Sequence, residues 1–539
     1  MPSKSLISTI DPLASAAGRD ILNAGGNAVD AAVAAGAVLS VVAPHMCGMG
    51  GDLFALVQQR GDAEPGCLNA SGRAGSGADA ARMRQEGHTT MPFRNDIRLT
   101  PVPGCVDGWV ELVDRYGTFS LGELLEPARK VADEGFAATG MLARAVRERL
   151  KGVPGAEDLW NVDVDEGGPV AGSILRRPGV ARTFAAIAEE GRDGFYRGEF
   201  GRGLIRMGGG EYTEADLNTS QAEWVEPLYL NVFGLRLWTA PANSQGYMAL
   251  AGLKAIERLN DKGWLPENPG SGQWAHLTSE AARVVGSDRS DVLFDDSDVQ
   301  SVLDDAVARA ELISPHGRVD VPDAQAAGGT TALAVCDRDG MSVSYIQSNA
   351  AGFGSHLFEP TTGIGLQNRG VGFNLVPGHP GEYRPGKRPA HTLVPFLATD
   401  SNNDLRLIAT TMGGDSQPQI LMQLVTRVLL HGQSPAQAMW EPRWRLHPGE
   451  TGFDTWNQAR YSPGSGQDAE SNGRKEFDVD LESGAALDWA SELRRCGHRC
   501  LEADAGSAFG HAHVIAMEED RPVGAADPRS ETGTVYAAS

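Results

Sequence analysis

Two adjacent threonines, Thr330 and Thr331, follow a glycine pair in "AQAAGGTTALAVCDRDGMSVSYIQSN", residues 324–349, and open an alternating apolar run. Small, flexible residues ahead of a double hydroxyl suit an ordinary loop-to-strand junction. They equally suit a backbone built to be cut, with a threonine left as a new N-terminus. The next residues bring further hydroxyl and amide groups close. "TALAVCD" and "MSVSYIQS" flank "RDG", a hairpin signal. A two-residue loop at Arg338 and Asp339 places Thr330 opposite Gln347, and one at Asp339 and Gly340 places it opposite Asn349. Ser348 lies between the two.

The elements that must hold these residues are legible in outline. Asp11 caps a helix with Pro12 at its first position, and a glycine pair ends it. Asn27 caps "AVDAAVAAGAVLSVV", whose alanines allow close packing. "APHMCGMGGDLFALV" then reads as a glycine turn entering an apolar strand. A dinucleotide-binding loop needs strand, glycines and helix in that order, and here the order is reversed. From about residue 110 to 313 the pattern is mostly helical, with polar breaks near 152–172 and 267–272. From Gly328 onward strands predominate, ending in the pair "HAHVIAM" and "RPVGAADPR". Residues 450–475 are polar and glycine-rich, as in a surface loop. No internal repeat is present.

Composition removes several classes of function. The chain has 539 residues, 41% of them hydrophobic, with 67 glycines and 30 prolines, as in a compact, loop-rich protein. Seventy acidic residues against 47 basic ones give a formal charge of −23. Such a surface repels phosphate backbones and anionic lipids, so no nucleic acid and no membrane partner is expected. The N-terminal stretch lacks an apolar signal core, and no run is long enough to span a bilayer. Six scattered cysteines suit reduced thiols, so a cytoplasmic location is expected. "CGHRC" lacks a second ligand pair, so no metal is expected, and no cofactor is implied.

The motifs together resemble the gamma-glutamyltransferase family of N-terminal-nucleophile hydrolases. The resemblance runs from "DPLASAAGRDILNAGGNAVDAAVAAG" through "PHMCGMGGD" and "PVPGCVDGW" to "GGTTALAV", "FGS", "TGIGLQNRG", "PGKRPAHT", "MGGDSQPQ" and "GAADPR". It implies an α/β fold, a four-layer αββα sandwich made as one precursor and self-cleaved into a large and a small subunit. The cut maps to the Gly329–Thr330 bond, giving subunits 1–329 and 330–539. Thr330 is then the nucleophile: its hydroxyl attacks the preceding carbonyl, and the freed α-amine, with a reference pKa near 8, serves as its base. Ser348 falls on the family's second threonine, which supports the nucleophile. Gly413 and Gly414 match the glycine pair whose N–H groups form the oxyanion hole. Arg73 lies where an arginine grips the substrate carboxylate, a task that suits the forked guanidinium. His391 and Thr392 fall on paired serines beside the substrate.

The departures from the family pattern concern substrate choice. Where the transferases carry acidic residues that bind the ammonium of a γ-glutamyl group, this chain has Arg369 and Gly372. A cation and an absent side chain cannot hold an ammonium. The chain also resembles the branch with "SNxxGFGS" and "LQNRG", which includes oxamate amidohydrolase. The resemblance therefore implies hydrolysis of an amide beside a carboxylate, with Arg73, Arg369, His391 and Thr392 binding a small-molecule substrate. A γ-glutamyl hydrolase or transferase acting on glutathione is the competing enzyme. A silent homologue that only binds is the alternative of another class. The partners implied are that substrate and the two subunits of the chain's own precursor, with room for a dimer of processed αβ units.

Overall fold

The computed structural model describes residues 4–160, 167–321, 330–446, 478–485, 487–504 and 509–538. Gly328, Gly329 and the expected loop at 450–475 lie outside the described residues.

Local chemistry sets the first hairpin of helices. The Asp11 carboxylate accepts from the Leu13 N–H and starts the helix Pro12–Asn23. Asn27 accepts from the Val29 and Asp30 N–H groups while Asp30 answers its backbone, a reciprocal cap for the helix Ala28–Val42. That second helix is buried along its whole length. Small side chains all round it are what permit this, since a wholly buried helix must let neighbours approach from every side.

Two antiparallel sheets stack at the centre. The first has seven strands in the order Thr534–Ala538, Ser5–Thr9, Thr331–Cys336, Ser342–Ser348, Asp52–Gln58, Gly66–Ala70 and Glu223–Val225. The second has six, ordered Arg521–Ala526, Ala512–Glu518, Leu405–Thr411, Phe396–Thr399, Leu235–Thr239 and Leu228–Val232. Period-two alternation divides the strand residues between cores. Leu53, Ala55, Val57, Leu333 and Tyr345 face the layer of helices that includes Pro12–Asn23 and Ala28–Val42. Phe54, Leu56, Ala332 and Ile346 face Trp238 and Leu397 of the opposing sheet and Leu393 in the loop before it. Leu237, Phe396, Leu407 and Val514 turn outward onto a further helical layer that includes Gly246–Asp261 and Gly272–Gly286. The result is helix, sheet, sheet, helix, with strands buried on both faces. Residues before and after Thr330 alternate within the first sheet: Ser5–Thr9 lies between two strands of the later segment.

Two expectations are corrected. The stretch read as mostly helical from 110 to 313 also contains, among the described residues, a two-residue strand pair, Phe136–Ala137 with Ile174–Leu175, and three longer strands, Glu223–Val225, Leu228–Val232 and Leu235–Thr239. Leu228, Leu230 and Val232 alternate before a Phe233–Gly234 turn, but Glu226 and Pro227 interrupt the pattern upstream. The hairpin also closes differently. Asp337 and Met341 are bonded across the turn, and Gly340 sits at φ 92°. This is a three-residue loop with glycine in the left-handed position. The register pairs Thr331 with Gln347, so Thr330 faces Ser348 itself and neither Gln347 nor Asn349.

The strand that ends at Ser348 is locked to the helical layer through one aromatic side chain. The Trp109 Nε1 donates to the Tyr345 hydroxyl at 2.8 Å, and that hydroxyl donates to Gln347 Oε1 at 2.5 Å. Gln347 Nε2 in turn donates to the Gly36 carbonyl at 2.8 Å. A Cβ on Gly36 would collide with the Tyr345 phenol. Gly36→Ala is therefore expected to destabilise the protein by about 1–3 kcal/mol, the usual cost of overpacking a core. Chemical denaturation of the variant beside the parent measures this, and an unchanged midpoint would refute the tight approach.

Candidate active site

The ends of both sheets meet at one place. The strand Asp52–Gln58 begins there and the strand Ser342–Ser348 ends there, in register at Asp52 and Ser348. Thr330 stands next in the same row, so Thr330, Ser348 and Asp52 project from one face, toward the second sheet. All three are fully buried. From the opposing sheet come the loop that carries His391 and Thr392, just before Phe396–Thr399, and the loop 412–416, just after Leu405–Thr411.

The Thr330 and Ser348 hydroxyls lie 3.2 Å apart. The Ser348 oxygen also accepts from the Ala350 N–H at 2.8 Å and from Arg369 Nη2 at 3.2 Å. Two donors on one hydroxyl oxygen favour Ser348 as the donor toward Thr330. Arg369 is fully buried and spreads its fork over three elements. Its Nε donates to Asp52 Oδ2 at 2.9 Å, its Nη1 to Thr392 Oγ1 at 2.9 Å, and its Nη2 to Ser348. Asp52 Oδ2 also pairs with His391 Nε2 at 2.9 Å. The Leu393 N–H donates to His391 Nδ1 at 3.2 Å, which fixes the tautomer: Nε2 carries the proton and donates to Asp52.

The charges follow from this arrangement. Burial pushes the Asp52 carboxyl up, but Arg369 and His391 outweigh it and hold the group below the ordinary carboxylate range. Burial, with Arg369 beside it, lowers His391 to about 4 in spite of Asp52. At neutral pH the cluster is one carboxylate, one guanidinium and one neutral imidazole. The Phe54 ring and that imidazole pack edge-on, 4.8 Å between centroids.

The glycine pair lies on the other side of Thr392. Gly413 has φ 141° and Gly414 φ 53°, angles that suit residues without a Cβ. Neither N–H has an acceptor among the described residues, and the helix Gln417–Val425 starts just beyond. Gln245 Nε2 ties this turn to the histidine loop, donating at 2.9 Å to the carbonyls of both Thr392 and Gly414. Arg289 completes the brace, from Nε to Gln245 Oε1 at 3.1 Å and from Nη2 to Asp415 Oδ1 at 2.8 Å.

The structure thus joins Thr330, Ser348, Arg369, His391 and Thr392 in one bonded cluster, with Gly413 and Gly414 braced against it. Arg73 stands apart from that cluster. It bonds the Gly386 carbonyl and Glu223. Gly372 closes the short helical turn that begins at Arg369. Asp52, Gln245 and Arg289 went unrecognised in the sequence. Asp52 was visible only as the first residue of a strand after a glycine turn. Among the described residues no group of three or more His, Cys, Asp and Glu is arranged to hold a metal ion, and no helix is long and apolar enough to cross a membrane.

A stacked pair of sheets with helices on both sides, and a strand-opening threonine at their shared end, defines an N-terminal-nucleophile hydrolase. The chain belongs to the gamma-glutamyltranspeptidase family, whose model matches residues 14–537. It is 33% identical to the oxamate amidohydrolase proenzyme of Klebsiella pneumoniae, with 96% of each chain covered. It is 34% identical to the glutathione hydrolase-like YwrD proenzyme of Bacillus subtilis, covering 82% of this chain and 85% of that one. The cephalosporin acylase of Bacillus halodurans superposes with a TM-score of 0.85 at 31% identity, over 99% of this chain and 96% of the other. The protein is a self-processing enzyme that hydrolyses amide bonds.

The buried pair at Asp52 is sensitive to mutation. Asp52→Asn leaves the Arg369 charge in the core without its counter-ion, a change that costs about 3–5 kcal/mol. The variant should unfold at clearly lower denaturant and process more slowly, because Ser348 loses its fixed neighbour. Normal processing together with an unshifted unfolding midpoint would remove Asp52 from the site.

Proposed function

We propose that Thr330 is the nucleophile, that the precursor is cut at the Gly329–Thr330 bond, and that the mature enzyme hydrolyses the amide of a small carboxylate-bearing substrate such as oxamate. The freed α-amine takes the Thr330 hydroxyl proton while Oγ1 attacks the amide carbonyl. The Gly413 and Gly414 N–H groups receive the developing oxyanion, and the leaving amine departs with the proton. Water then cleaves the ester and releases the acid. With oxamate the acyl group is oxalyl, and the products are oxalate and ammonia.

The single observation that carries the substrate choice is the position of Arg369. Where γ-glutamyl recognition needs an acid, this chain has a buried guanidinium already bonded to Asp52, Ser348 and Thr392. Asp415, a nearby acid that could serve instead, is buried against Arg289. An ammonium brought into this site meets no uncommitted carboxylate among these groups, and stranding it costs several kcal/mol. The competing reading, glutathione hydrolysis, is favoured by the likeness to the YwrD proenzyme. In our reading Arg369 works from behind the site, and Arg73 is the group that meets the substrate carboxylate. The six scattered cysteines support a cytoplasmic site of action, and a dimer of processed αβ units is the assembly we propose.

Two outcomes test the reading. Thr330→Ala should remain one uncut chain, while the parent yields a small fragment whose N-terminal residue is Thr330 by mass analysis. A fragment beginning at Thr331 would displace the nucleophile. In steady-state comparison at matched concentrations, oxamate should exceed γ-glutamyl anilide by at least about a hundredfold in kcat/KM, the equivalent of roughly 3 kcal/mol. A tenfold preference for the anilide would overturn the substrate choice.

A further inference from the structure

Arg73 and a second arginine converge on one oxygen atom. Arg73 Nη2 and Arg388 Nη2 each donate to Glu223 Oε2 at 2.9 Å. Arg388 is only 6% exposed, and its Nε is buried with no acceptor among the described residues. Glu223, by contrast, is half exposed, at 51% of its side chain. It opens the edge strand Glu223–Val225, opposite Asn69, which stands opposite Phe54. Its side chain therefore shares the inter-sheet face with the phenylalanine that packs on His391. The two arginines are also fixed in place. Asn69 Nδ2 donates to Asn243 Oδ1 at 3.0 Å, and Asn243 Nδ2 donates to the Pro389 carbonyl at 2.6 Å. This relay clamps the chain just before Arg73 to the chain just after Arg388.

Two guanidiniums on a single carboxylate oxygen leave donors unused. A planar carboxylate fits the Nε and Nη2 edge of Arg388 with both of its oxygens, which Glu223 does not do. Burial, with Arg73 beside it, makes the Arg388 charge costly to keep, and Glu223 offsets that while no ligand is present. We propose that Glu223 is a resident stand-in for the substrate's carboxylate. On binding, the ligand carboxylate takes Arg388 and Arg73 together and Glu223 turns out to solvent. Arg388 is then a specificity-determining residue, and the ligand class is a small carboxylate. This rests on the substrate reading given above.

The experiment compares processed parent, Glu223→Gln and Arg388→Lys, with oxalate binding followed by calorimetry and oxamate turnover by ammonia release. Glu223→Gln removes the competing charge, so the oxalate Kd and the oxamate KM should fall about three- to tenfold, the worth of one or two half-exposed ion pairs, with kcat unchanged. Arg388→Lys, which cannot present a two-donor edge, should raise both at least about tenfold. A Glu223→Gln enzyme whose Kd and KM rise or stay the same overturns the stand-in role, as does an Arg388→Lys enzyme that matches the parent. Oxalate binding that tightens in Glu223→Gln without any oxamate turnover would sink the substrate choice and uphold the site. Oxamate turnover with a KM untouched by either variant would do the reverse.

Discussion

The ion pair between Asp52 and Arg369 is the interaction on which the site depends. Both groups are sealed from water, so each is costly to bury alone and neither can be dropped without stranding the other. Its fixed geometry is what it contributes. A guanidinium held at Nε by one carboxylate has its two remaining arms aimed, and here they reach Ser348 on one sheet and Thr392 at the other. The same carboxylate holds His391, whose neutral state removes a second cation from the pocket. Four elements that meet only at the ends of two sheets are thereby held in one arrangement.

The surrounding fold places these groups and then protects them. Strands buried on both faces bury the row Thr330, Ser348 and Asp52, so a hydrogen bond there is electrostatically stronger than at a surface. The opposing sheet supplies what strands cannot, a turn whose N–H groups have no acceptor among the described residues, with Gly413 at φ 141°, an angle that favours glycine. Gln245 keeps that turn and the histidine loop at a constant separation. The two arginines that share Glu223 lie at the sheet edge, while Arg369, beside Thr330 and Ser348, is occupied by structure.

Much of this was legible in the residues, for reasons that are local. Capping at Asp11 and Asn27 and the "RDG" turn all act within a few positions. The one-residue difference in hairpin register shows the limit. A glycine at φ 92° converts a two-residue loop to a three-residue one, and only the resulting pairing reveals that Thr330 faces Ser348. Asp52 stayed hidden because its partner is 317 residues away, and nothing beside it in the chain announces a buried charge. Arg369 was noticed as a departure from the family pattern, but its direction is set by Asp52, so its identity alone could not tell a bound arginine from a reaching one. The strands at 223–239 were missed because Pro227 and two glutamates break an alternation that only the finished sheet makes evident.

The interleaving of early and late strands has a consequence for how this protein can be made and lost. Ser5–Thr9 sits between strands that come from beyond residue 330, and the second sheet likewise mixes Leu235–Thr239 with strands from the later segment. A cut ahead of Thr330 would therefore free an end without freeing a piece: neither fragment would own either of the two central sheets, and each would supply part of the other's core. Folding before the cut is unimolecular. Once cut, the same architecture can be regained from the unfolded state only by two fragments meeting in solution, at a rate set by their concentration. The native state of an enzyme cut in this way is thus a product of its history.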